Sequence, residues 1–324
     1  MAAEEDLKSL LRQGIPEDDD SVSVEEDAST DVLHIGVLGA GTMGQGISEV
    51  ASQAGIDVIL IEKDDRSLQE SLLGIEDHLD YEISRWSKTE SDKKAILSRI
   101  HGTVDPTEAQ NEPIVIEALP DNLELKKEIF ASLDKICHED TILITNTSTL
   151  SITEIAAVTG REDQVIGMHF LYPVSKTPVV EVVRGLKTSD DTFRRTFGFA
   201  QQLKKTPVEV FEYPGYVTTR IILPMLNEAM HVLMEGTASA GDIDTAIKLG
   251  YNMDHGPLAL ADQMGLDEVM IWMESLFHEL GDLKYRPCPL LRKLVRAGHL
   301  GKKTHWGFFR YDKNGHIIPE EDAQ

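Results

Sequence analysis

The stretch "VLHIGVLGAGTMGQGISEVASQAG", residues 32–55, constrains this chain more than any other. Val32 to Leu38 is a β-prone run. Gly39, Gly41 and Gly44 then follow at glycine-x-glycine-x-x-glycine spacing, and a helical pattern runs from near Thr42, through Met43, to about Ala54. A second apolar run, "IDVILIEKDD", closes on Glu62, 18 residues beyond Gly44. A glycine motif alone is weak evidence, but strand, glycines, helix, second strand and terminal acid in this order specify a dinucleotide site. Gly39 permits the tight turn, Gly41 lets backbone N–H groups approach a pyrophosphate, and Gly44 lets the helix sit close to the sheet. The helix N-terminus favours the anion. Glu62 accepts hydrogen bonds from ribose hydroxyls and repels a 2′-phosphate, so the expected cofactor is NAD rather than NADP.

Strand-like runs recur at residues 113–118, 141–146, 164–170, 178–183 and 207–211, separated by helical patterns at 122–137, 151–158 and 190–203. The charged stretch from Asp65 to Ser98 reads as one long helix. Strands alternating with helices predict a mostly parallel sheet covered on both faces. After "YPGY" the strand signal fades. "VTTRIILPMLNEAMHVLMEG" reads as an amphipathic helix interrupted at Pro224, and further helical patterns follow. The predicted class is α/β: a Rossmann-type N-terminal domain with a mostly parallel sheet over 32–213, plus an all-α C-terminal domain over 214–324.

The first 31 residues hold eleven acids and two bases, a charge of −9 that leaves −16 for the remaining 293. They read as an acidic, disordered lead, in which Leu7, Leu10 and Leu11 share one helical face. The net charge of −25 argues against nucleic acid. No apolar run approaches the roughly 20 residues of a membrane helix. Glu4, Glu5 and Asp6 stand where a signal or transit peptide carries bases, so a cytoplasmic protein is expected. Two cysteines without CxxC read as free thiols, and eleven histidines without HxH or HExxH spacing offer no metal motif.

"GMHFLYPVSKTPVVEV", residues 167–182, sets His169 and Glu181 in two apolar, β-prone runs. By themselves they are either a satisfied structural pair or a general base with its orienting acid. A base is needed to take a hydroxyl proton as hydride leaves for a nicotinamide, and histidine titrates nearest to working pH.

Several further segments carry a family resemblance: "GAGTMGQGI", "NTSTLSITEIA", "GMHFLYPV", "VEVVRG", "YPGYVTTRIILPMLNEA", "DIDTAIKLGYNMDHGPLALAD" and "GKKTHWGFFRY". From about Val32 to Tyr311 the chain resembles the L-3-hydroxyacyl-CoA dehydrogenases, including the bacterial 3-hydroxybutyryl-CoA dehydrogenases. The resemblance implies NAD-dependent oxidation of L-3-hydroxyacyl-CoA, or its reverse, in a cleft between the two domains, with a homodimer made by the helical domain. It implies that His169 is the catalytic base, Glu181 its orienting acid and Ser148 the contact to the substrate oxygen. Asp121, Lys126 and Lys303 match cofactor contacts. Two positions depart from the family, which has asparagine where Tyr172 and Thr219 stand, so a reshaped site with altered acyl preference or lower activity is expected. Arg85, Lys88, Lys93 and Lys94 are candidates to meet CoA phosphates. Two other readings share the fold: a dehydrogenase of a small hydroxy acid without CoA, and an NAD-binding protein that has lost activity.

Overall fold

A computed structural model describes residues 31–318. The acidic lead and its three leucines lie outside the described residues. Eight strands form one sheet: β1 (His34–Leu38), β2 (Asp57–Ile61), β3 (Ile100–Thr103), β4 (Ile114–Glu117), β5 (Ile142–Thr145), β6 (Val165–Phe170), β7 (Val179–Arg184) and β8 (Thr206–Phe211). Their spatial order is β3-β2-β1-β4-β5-β6-β7-β8. The pairings from β3 to β6 are parallel, β7 runs antiparallel to β6, and β8 is parallel to β7.

Alternation along the strands builds two cores. Ile35 and Val37 of β1, Ile114 and Ile116 of β4, and Ile166 and Met168 of β6 face one of them. Helices α1 (Thr42–Gln53), α2 (Asp65–Ser84) and α3 (Glu90–Leu97) cover that face with Ile47, Val50, Ile75, Leu79 and Ile96. Leu38, Val115, Leu143, Val165 and Val183 face the other, against Phe130 and Leu133 of α4 (Leu123–Ile136) and Ile152 and Ile155 of α5 (Ile152–Ala156). Burial on both faces explains why the central strands read as unbroken apolar runs. Helix α6 (Asp190–Gln202) returns to the first core through Phe199 and Ala200.

The stretch read as one helix over 65–98 is two. Trp86 adopts a left-handed conformation (φ 62°), and Thr89 starts α3 with a capping box closed by Asp92. The short strand β3 had no clear signal in "IHGT", where the histidine and glycine dilute the pattern.

Among the described residues beyond 214, five α-helices follow: α7 (Thr218–Met234), α8 (Ala240–Gly250), α9 (Pro257–Met264), α10 (Leu266–Leu280) and α11 (Pro289–Arg296). They share a separate core that includes Leu223, Leu226, Leu258, Leu266, Met273 and Leu291. Pro224 does not interrupt α7. Proline has no N–H for the carbonyl of Arg220 four residues earlier, and the Tyr285 hydroxyl approaches that oxygen at 3.5 Å. Asp262 of α9 fastens the last segment, accepting from the Phe308 and Phe309 N–H groups and the Tyr311 hydroxyl, each at 2.9 Å. Among the described residues no helix is long and apolar enough to cross a membrane.

Candidate active site

Chain order reverses between β1 and β4, the place where open α/β sheets open a crevice at their strand ends. A cleft of about 1740 Å³ lies there, lined by the carboxyl ends of β1, β2, β4, β5 and β6 and by residues of α7, α9 and α10.

Gly39, Gly41, Thr42 and Met43 line the cleft at the end of β1. Gly39 has φ 94° and its N–H bonds the Ile61 carbonyl at 2.9 Å. A Cβ on Gly41 would meet nothing within 4 Å, so its face is open to a ligand. Gly44 does not line the cleft; a Cβ there would stand 1.8 Å from the Gly39 oxygen. Its role is the close helix–strand approach. Gly41 caps α1 without a side-chain hydrogen bond, which leaves first-turn N–H groups for an anion. Glu62 also lines the cleft and braces the turn, accepting from Ala40 N–H at 3.1 Å through one oxygen and from Lys63 N–H at 2.8 Å through the other. A carboxylate has about four acceptor positions, so capacity remains for ribose hydroxyls. These residues fit a dinucleotide.

His169 lines the same cleft from the end of β6, and it is the register partner of Glu181 on β7. The antiparallel pair places both side chains on one face of the sheet, with Nδ1 of His169 2.6 Å from Oε2 of Glu181. Glu181 is buried. Its Oε1 accepts from the N–H groups of Val217 (3.0 Å) and Thr218 (2.9 Å), and its Oε2 from the Thr218 hydroxyl at 2.7 Å. Glu181 thus caps α7 from another strand, where the helix supplies no side-chain cap of its own. Burial works against the charge on Glu181, but the bonds from His169 and Thr218 outweigh it and hold its pKa below the usual carboxylate value. An ionised Glu181 has no proton to give, so Nδ1 of His169 is the donor in this pair, the tautomer that in a neutral imidazole puts the lone pair on Nε2. The Tyr216 ring lies 5.7 Å from the imidazole, anchored by its hydroxyl to the Leu150 carbonyl at 2.9 Å.

Ser148, past the end of β5, and Asp121, past β4, both line the cleft. Asp121 Oδ2 accepts from the Ser148 hydroxyl at 3.2 Å and from its N–H at 3.3 Å. Thr219 is buried in the cleft wall, whereas Tyr172 is exposed and follows the His169 strand, joined to Pro173 by a cis peptide bond. Lys303 reaches the cleft from the C-terminal segment, with Nζ 2.6 Å from Asp267.

Lys126 stands elsewhere than expected of a cofactor contact. It is fully buried behind the cleft wall, with Nζ 2.7 and 2.8 Å from the two oxygens of Glu117. A side chain enclosed by its own acceptors has no surface to offer a ligand. Lys88 and Lys93, candidates for CoA phosphates, lie against carboxylates: Lys88 3.5 Å from Glu49, Lys93 2.6 Å from Asp80 and 3.1 Å from Glu76. Thr218 and Asn146 were not singled out in the sequence. The position of Thr218 at a helix start after "PGY" was the available signal; Asn146, which accepts from the Phe170 N–H at 3.2 Å, had none beyond its place at a strand end.

A phosphate-binding turn, an acid at the end of β2 and an imidazole–carboxylate pair in one cleft define an NAD-dependent oxidoreductase. Residues 34–213 match the model of the 3-hydroxyacyl-CoA dehydrogenase NAD binding domain, and residues 215–311 that of the 3-hydroxyacyl-CoA dehydrogenase C-terminal domain. The chain belongs to the 3-hydroxyacyl-CoA dehydrogenase family. It is 46% identical over 283 residues to a probable 3-hydroxybutyryl-CoA dehydrogenase of Bacillus subtilis (strain 168), covering 87% of this chain and 99% of the relative. The human mitochondrial hydroxyacyl-coenzyme A dehydrogenase is 37% identical over 289 residues, covering 86% of this chain and 91% of its own. Among solved structures, (S)-3-hydroxybutyryl-CoA dehydrogenase from Ralstonia eutropha superposes with a TM-score of 0.80 at 43% identity, over 87% of this chain and 100% of that one.

Proposed function

We propose that His169 is the general base of an NAD-dependent oxidation of L-3-hydroxyacyl-CoA to 3-oxoacyl-CoA. The observation that carries this reading is the 2.6 Å contact between His169 and Glu181 in the cleft that holds the glycine turn. NAD, when bound, supplies the hydride acceptor. Nε2 of His169 takes the hydroxyl proton, and the Glu181 carboxylate stabilises the imidazolium that forms. Ser148 holds the substrate oxygen beside the base, and that fixed orientation lowers the barrier. In the reverse direction the imidazolium returns its proton to the developing alkoxide. Glu62, Asp121 and Lys303 face the cofactor, and Thr219 shapes the wall beside the reacting carbon.

The substrate is an acyl-CoA, with residues 32–213 carrying the cofactor and 214–324 the substrate and dimer contacts. Exposed Leu249, near the end of α8, and Tyr251, just past it, support a homodimer, to be tested by sedimentation equilibrium. The net charge of −25 supports a protein that does not bind nucleic acid.

The test is direct. Purified full-length protein mixed with acetoacetyl-CoA and NADH should consume the nicotinamide absorbance. No consumption of NADH sinks the reading, and equal use of NADPH sinks the role given to Glu62.

A further inference from the structure

The pair Glu117–Lys126 is unusual for its complete burial. Glu117 ends β4 and Lys126 lies in the second turn of α4, and neither side chain is exposed. Besides the two Glu117 oxygens, the ammonium reaches the carbonyls of Leu119 at 3.0 Å and Asn146 at 3.2 Å. Glu117 also accepts from the Leu119 N–H at 2.6 Å and the Thr145 hydroxyl at 2.7 Å. Desolvating two charges is costly, and an apolar pair of similar volume is often as stable. An apolar pair, however, leaves the carbonyls of Leu119 and Asn146 without a donor. The charged pair ties together the ends of β4 and β5 and the start of α4, the parts from which the central wall of the cleft is made.

Two branches leave this knot. Asp121 has one carboxylate oxygen 3.9 Å from the ammonium and holds the N–H and hydroxyl of Ser148 with the other. Asn146 gives its backbone carbonyl to Lys126 and takes the Phe170 N–H with its side chain, one residue past His169. We propose that Glu117 and Lys126 are positioning residues, a buried pair that sets Ser148 and the end of the His169 strand relative to each other without touching substrate. This role rests on the assignment of His169 and Ser148 made above.

The test uses full-length protein carrying Glu117→Gln with Lys126→Met, a neutral pair of similar volume that leaves no orphan charge. Melting temperature, NADH affinity by fluorescence titration, and kcat and KM with acetoacetyl-CoA are measured, each also in a Ser148→Ala background. The fold and NADH affinity should be kept, while kcat falls about 10–10²-fold, the range expected for misplaced reacting groups. KM should change little. In the Ser148→Ala background the further loss should shrink to within about twofold, because the serine is already gone. An unchanged kcat, a loss of the same size in both backgrounds, or a rise in the NADH dissociation constant matching the loss of kcat would each overturn the proposal. If the double variant does not fold, Glu117→Asp, which keeps both charges but draws the carboxylate back by one methylene, is read by the same criteria. Wild-type protein inactive toward acetoacetyl-CoA overturns the assigned reaction along with this role. An active wild type with an unaffected pair variant overturns only this role.

Discussion

His169 and Glu181 stand twelve residues apart in the chain yet face each other directly across the β6–β7 pair, with Nδ1 and Oε2 at 2.6 Å. The register of one hairpin sets this relationship, and Thr218 fixes it from the helical part by holding both carboxylate oxygens.

Loss of the base should be severe and selective. His169→Ala is expected to lower kcat by about 10²–10⁴-fold, the usual contribution of a general base, with NADH affinity nearly unchanged. Glu181→Gln should cost less. Because the folded pKa of Glu181 lies below its ordinary value, the stability from its charge is fully present above pH 4.5 and is lost as pH falls further. Urea midpoints of wild type and Glu181→Gln should therefore keep their gap down to about pH 4.5 and converge as pH falls further; a gap still constant at about pH 3 would count against the charged pair.

Glu62→Ala should narrow the preference for NADH over NADPH, since it removes both the ribose acceptor and the repulsion of a phosphate. Steady-state kcat/KM for the two cofactors decides this, and an unaltered ratio would place discrimination elsewhere.

Gly44→Ala should abolish tight NADH binding. The new Cβ would fall 1.8 Å from the Gly39 oxygen, a backbone atom that moves only with the phosphate-binding turn. Fluorescence titration should show at least about a tenfold weaker affinity, equivalent to 1.4 kcal/mol or more.

Asp262 gives the opposite pH dependence from Glu181. Burial pushes it up to about 6 against the donors of Phe308, Phe309 and Tyr311. Its folded pKa is raised, so the stability it contributes is full below 3.8 and is lost as pH rises through about 6. Relative to Asp262→Asn, wild type should lose roughly 2 kcal/mol between pH 4 and 7. Denaturant midpoints at several pH values check the sign, and a gap that moves in favour of wild type would reject it.

Thr219 and Tyr172 line the cleft where the family resemblance expects two amides. If the site has been reshaped as a unit, Thr219→Asn alone should give little gain, while Thr219→Asn with Tyr172→Asn should exceed the sum of the single effects by about 0.5–3 kcal/mol. A double-mutant cycle on kcat/KM with acetoacetyl-CoA measures the coupling, and strict additivity would refute it.

The glycine turn, Glu62 and the alternation of strands and helices were legible in the sequence because their causes are local: conformational freedom at glycine, period and turn chemistry. His169 and Glu181 were visible as polar residues in apolar runs, and resemblance pointed to Ser148, Asp121 and Thr219. What local pattern did not contain was a partner for each polar group. The continuation of α7 through Pro224 depends on a distant contact, with Tyr285 lying beside the Arg220 carbonyl. The placement of Lys126 is the clearest case. The family resemblance implies a lysine in contact with the cofactor, but the end of β4 brings Glu117 beneath it and encloses the ammonium. Chain neighbours determine which backbone shape a segment prefers; only the packing of β4, β5 and α4 decides which charges lose their water and must find each other.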